Sequence, residues 1–209
     1  MNSFVCGFLF ALSAACFAQR ARQVPAVDVS SPVRALKTKA NDICAVDFRN
    51  TRVFGEAGDD TAKLKDGLYE RKWRSGVGSE RVSLDYSFCI KQSDRAKHAL
   101  VILDWLDCGG SCSRTGVVQV LTIKDHHPVI KQQFVFDSHA EGTGASFDEK
   151  SLVLTVTGRS DDGSPNCCAE FFDVVTYAWA GSRFEQQGFT RVSAPPPRRI
   201  EDEMPQTVR

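Results

Sequence analysis

Between residues 82 and 90 apolar and polar side chains alternate, with Val82, Leu84, Tyr86, Phe88 and Ile90 set against Ser83, Asp85, Ser87 and Cys89. A period of two predicts a strand with one buried face. The next segment, "HALVILDWL" (98–106), is apolar at successive positions, which predicts a central strand covered on both sides. "GVVQVLTI" (116–123) and "PVIKQQFVFD" (128–137) bracket the turn-like KDHH and predict a hairpin. Further on, "SLVLTVTG" (151–158) places Leu152, Leu154 and Val156 on one face, and "EFFDVVTYAWAG" (170–181) does the same with Val175, Tyr177 and Trp179. Ala180, Gly181 and Ser182 then turn the chain into "RFEQQGF". Upstream, "CAVDFRN" and "GLYERKW" supply two weaker strands.

The links carry turn residues: Gly109-Gly110, Asp148-Glu149 and Asp161-Asp162-Gly163-Ser164-Pro165. Short links join antiparallel neighbours, whereas parallel strands need crossovers of about a dozen residues. The fold class is therefore all-β, an antiparallel meander forming a sandwich or a partly open barrel with minor helix.

The ends of the chain follow different rules. The first eighteen residues carry no charged side chain, and the apolar run from Phe4 to Ala18 is shorter than the roughly 20 residues a membrane-spanning helix needs. Residues 1–18 read as a signal peptide, cut after Ala18 or before Cys16. A cut before Cys16 also permits a lipid anchor there. That is the lesser alternative, because Ser13 stands where a lipoprotein box wants Leu. Residues 19–40 are polar, carry two prolines and read as a linker. The segment 193–209 holds a Pro triplet and mixed charge and reads as a disordered tail. One folded domain is left, 41–192.

Composition narrows the partners. The 26 basic residues balance 26 acidic ones, so the long-range attraction behind nucleic-acid binding is missing. No second long apolar segment follows the leader, so no transmembrane segment is expected after it. The partners that remain are an envelope component or a small ligand.

With Cys6 and Cys16 in the leader, six cysteines stay in the mature chain: Cys44, Cys89, Cys108, Cys112, Cys167 and Cys168. An even number in an exported protein favours disulfides. Cys89 falls on the polar face of its strand, so its partner must come from outside the main core, and Cys44 is the natural candidate. In Cys108-Gly109-Gly110-Ser111-Cys112 the glycines permit a sharp reversal, so this pair can close a small ring, or each member bonds to one of Cys167 and Cys168; the adjacent pair can also close on itself, in a ring small enough to strain the peptide. Zinc is disfavoured because Cys167 and Cys168 are adjacent and make no second knuckle. The two-residue spacing of a redox pair is absent.

Other chemistry is sparse, and no metal or cofactor is expected. His126-His127 lies in the hairpin turn, and Asp137-Ser138-His139 holds triad residue types that, as sequence neighbours, do not converge by themselves. "EGTGASFDE" (141–149) reads as a flexible loop and "SDDGSPN" (160–166) as a β-turn. Trp73, Trp105 and Trp179 read as core.

"DWLDCGGSCS" followed by "SPNCCAEFFDVVTYAWAGSRF" resembles uncharacterised exported bacterial β-domain proteins in which a Cys-Cys pair leads into a last strand of the form Y-x-W-x-G-x-x-F, here Tyr177, Trp179, Gly181 and Phe184. The likeness extends to "VDFRNTRV" and "LKDGLYE". It implies an exported β-domain and brings no activity with it. The expectation is an exported, periplasmic or secreted protein with a non-enzymatic structural or binding role at the cell envelope. The alternatives are a secreted hydrolase whose Ser (138 or 111), His and Asp meet only in the fold, and a thiol-redox protein.

Overall fold

A computed structural model describes residues 42–54, 61–73, 76–92, 97–109, 111–138, 142–160 and 170–193. The residues read as leader (1–18), linker (19–40) and tail (193–209, apart from Ser193), and the adjacent Cys167 and Cys168, lie outside the described residues.

The chain opens with two single-turn 3-10 helices, η1 (Ile43–Ala45) and η2 (Phe48–Asn50), followed by β1 (Arg52–Phe54) and β2 (Thr61–Lys63). Five strands then form one antiparallel sheet in chain order: β3 (Leu68–Lys72), β4 (Ser79–Lys91), β5 (Lys97–Cys108), β6 (Cys112–Lys124) and β7 (His127–Asp137). A second sheet is again a meander, built from β8 (Gly144–Asp148), β9 (Val153–Arg159), β10 (Phe171–Trp179) and β11 (Phe184–Ser193). The described residues form an all-β fold, and none of their sheets closes into a barrel.

The five-stranded sheet is covered on both faces, as the unbroken apolar run of β5 predicts. Ala99, Val101 and Leu103 point into a core shared with Ile43, Phe48, Val53, Ala62 and Leu64 of the N-terminal segment. Their neighbours Leu100 and Ile102 point the other way, into a core shared with Leu154, Val156, Val175, Tyr177 and Phe184 of the four-stranded sheet. The second core makes the sandwich. Among its rings, Phe134 lies 4.6 Å from Tyr177 and Trp179 lies 5.1 Å from Phe184, between centroids. Gln132 stitches the two sheets: its amide donates to the Phe184 carbonyl at 2.9 Å and accepts from the Phe184 N–H at 2.8 Å.

Three local expectations need correction. The alternation from Val82 to Ile90 does not bury a single face. A β-bulge at Asp85 shifts the register between Leu84 and Tyr86, so Val82 and Leu84 pack into the first core while Tyr86, Phe88 and Ile90 pack into the second. "CAVDFRN" is not a strand. Asp42 accepts from the Cys44 N–H at 2.9 Å and Asp47 from the Arg49 N–H at 3.0 Å, so each aspartate turns the backbone locally into a 3-10 turn. The expected loop at 141–149 contains β8, which pairs with β9 because Phe147 docks between Phe88 and Phe184.

Two-residue hairpin loops set the register at two places. Asp66 and Gly67 both have positive φ, and so do Asp125 and His126, the signature of type I′ turns whose twist matches the strands they join. The predicted KDHH hairpin is therefore present, with Lys124 paired to His127.

Candidate ligand pocket

At one end of the sandwich the second core stops short, and the inner face of the five-stranded sheet turns polar. A cavity of about 200 Å³ opens there, with Ile102, Gly116 and Phe136 among its lining and Asp85, Asp104, Arg114 and Ser138 supplying its polar groups. The Gly142–Ala145 stretch leading into β8 completes the wall. Gly116 is essential to this shape. Its cross-strand partner is Phe136, whose ring passes so close that a Cβ on residue 116 would stand 2.0 Å from it.

The polar groups divide into a satisfied set and an unsatisfied one. Arg114 Nε donates to both oxygens of Asp104, at 2.8 and 2.9 Å, and Ser138 Oγ donates to the same carboxylate at 3.3 Å. Asp104 is 15% exposed, so its charge is held by these partners rather than by water. The hydrogen bond to Asp104 raises the pKa of Arg114 against the smaller opposing effect of burial. Asp85 is different. It sits at the bulge on the cavity mouth and accepts only from Ser83 Oγ, at 3.3 Å, among the hydrogen bonds described for it. Desolvation at the cavity mouth, then repulsion from Asp104, pushes its pKa up, although the side chain stays in contact with solvent. An acceptor that prefers a proton or a positive partner thus faces the cavity.

The cysteines expected to staple the fold do so where they are described. Cys44 is bonded to Cys89, their Cα atoms 5.3 Å apart. The bulge explains the match, since it turns Cys89 toward the N-terminal layer while Phe88 and Ile90 enter the sandwich core. Cys108 and Cys112 close the small ring, with Cα atoms 4.0 Å apart at directly paired positions. Cys167 and Cys168 lie outside the described residues, as do His139 and the SDDGSPN turn apart from Ser160.

No described imidazole reaches Ser138. His98 is buried under Trp179, ring centroids 5.0 Å apart, with its Nδ1 unpartnered, and it precedes Asp104 by six residues along β5, roughly 20 Å. His126 is exposed in the hairpin turn. Trp105 and Trp179 pack against the two cores, as read from the sequence. Trp73 lies outside both, with its ring across Gly78 and Gly109. Among the described residues, no three His, Cys, Asp or Glu side chains converge on a metal position.

Of the pocket's polar residues, only Ser138 stands out in the sequence. Asp85, Asp104 and Arg114 come from three strands and form no motif. One signal for them was Asp104 itself, a carboxylate interrupting a strand that is otherwise apolar on both faces. No family model, curated protein or solved structure matches the chain.

Proposed function

We propose that this protein is an exported, periplasmic or secreted, non-enzymatic binding domain of the cell envelope, and that the end-of-sandwich pocket holds its ligand. The observation that carries the binding role is the pocket's chemistry: donors and acceptors line it, no imidazole or thiol is among the described residues of its lining, and the Ser138 hydroxyl is turned onto a carboxylate already held by Arg114. A nucleophilic serine needs a free base, and Asp104 is not one. Export draws support from the two disulfides, which suit an oxidising compartment. Among the described residues no helix is long and apolar enough to cross a membrane.

The Asp85 carboxylate, held by a single described hydrogen bond from Ser83, selects for a ligand that brings a positive charge or hydrogen-bond donors. The volume matches about seven waters, which limits the bound group to a small one such as a primary ammonium. Two measurements test the reading. Intact-mass analysis of protein recovered from fractionated cells should show the leader removed; finding uncut, fully reduced chain in the cytosol refutes export. Titration with ethylammonium, followed by NMR, should perturb the residues around Asp85, and Asp85→Asn should abolish the response. An unchanged spectrum refutes the pocket as the binding site.

A further inference from the structure

The two disulfides among the described residues occupy opposite kinds of position. Cys44–Cys89 joins η1 to β4 across a sequence separation of 45, with Cys44 packed against the first core. Among the described residues no backbone pairing links those two elements; the covalent bond joins them beside the packing of Ile43 in the first core, and the Asp42–Lys97 ion pair ties the same segment to β5. Cys108–Cys112 spans a separation of only 4 at the tip of the β5–β6 hairpin. Its residues are already register partners at the end of a ladder that runs inward to Ala99 and Leu121. The ladder keeps them opposed whether or not the sulfurs are joined. Cys112 is exposed to solvent, whereas Cys44 and Cys89 are only partly so. Trp73 lays its six-membered ring against Gly109, backing the tip on one side.

We propose that Cys108–Cys112 is a thiol–disulfide exchange site that reacts with an external dithiol, while Cys44–Cys89 is a permanent brace. A thiolate of the dithiol attacks the Sγ of Cys112, the exposed residue of the pair, forming a mixed disulfide and breaking the bond to Cys108, which leaves as a thiolate. The second thiol of the partner then attacks its own sulfur in that mixed disulfide and releases Cys112. The protein disulfide takes up two electrons, the dithiol becomes a disulfide, and its two protons go to the two new thiols. Reduction stays local because the hairpin ladder remains in place. This site is separate from the pocket and does not depend on the binding role assigned to it.

Dithiothreitol added to the folded protein without denaturant, with timed alkylation and peptide mapping, tests the assignment. Cys108 and Cys112 should become alkylated at least about tenfold faster than Cys44 and Cys89, as access to sulfur dictates. Equal rates, or a Cys108–Cys112 bond that opens only when the protein unfolds, overturn it. A Cys108→Ser/Cys112→Ser variant supplies a second reading. It should keep the native spectrum and an intact Cys44–Cys89 bond, and an unfolded variant would show instead that the ring is a structural staple.

Discussion

Adding one carbon atom at residue 116 is a sharp test of how the pocket is built. The Cβ of Gly116→Ala would stand 2.0, 2.2 and 2.6 Å from three atoms of the Phe136 ring, all below any real carbon–carbon contact. Phe136 is 7% exposed and cannot simply swing into water. Overpacking of this kind costs about 1–3 kcal/mol. Against it stands the stiffer unfolded chain of alanine, which returns about 0.4–1 kcal/mol. The net expectation is a loss of about 1–2 kcal/mol, read as a lower urea midpoint at unchanged slope. The decisive comparison is made in a Phe136→Ala background. With the ring gone, the same Gly116→Ala change should become neutral or stabilising by up to about 1 kcal/mol. An equal loss in both backgrounds would place the strain elsewhere and refute the account of the pocket floor.

Three further outcomes follow from the packing. Replacing Cys44 and Cys89 by alanine should destabilise the fold by about 4 kcal/mol in chemical denaturation, since their link closes a separation of 45, against about 2 kcal/mol for the ring at Cys108–Cys112. Gln132→Leu should cost about 2–4 kcal/mol and speed hydrogen exchange at the Phe184 amide, because both backbone groups of Phe184 lose their partner. His98 is held below its usual pKa, chiefly by burial and then by the Lys131 charge, so the unfolded chain binds the proton more readily. Stability should be unaffected by His98 above about pH 6.5 and should fall as the pH drops through its lowered folded value. His98→Gln should remove that acid slope in thermal unfolding series, and identical slopes for the two proteins would refute the assignment.

Sheet content and order were legible because period-two and unbroken apolar runs directly report how many faces of a strand are covered. The run through β5 even announced the two-sided layer, and the meander followed from short links. What escaped detection was local. A bulge inserts one residue, Asp85, without breaking the visible alternation, so the switch of faces between Leu84 and Tyr86 leaves no trace in the pattern. The strand β8 was hidden by the glycines and small polar residues of Gly142–Ser146, and only its docking of Phe147 makes it a strand. The pocket escaped for another reason: Asp85, Asp104 and Arg114 are brought together by cross-strand registry, which a linear spacing does not encode. The sequence pointed to Cys44 as the partner of Cys89 because Cys89 faces away from Phe88 and Ile90; that opposite face proves to carry the apolar N-terminal layer and not solvent.

The inner partners of the N-terminal segment all come later in the chain, as far along as Leu121 and Ile130. A ribosome delivers Ile43 and Phe48 well before the surface that will receive them. During that interval the segment stays without a home, and the thiol of Cys44 is open to sulfurs that emerge after it. The Cys44–Cys89 bond therefore waits at least for β4, which carries Cys89. The segment around Ile43 and Phe48, made before the strands that receive it, can dock only after them.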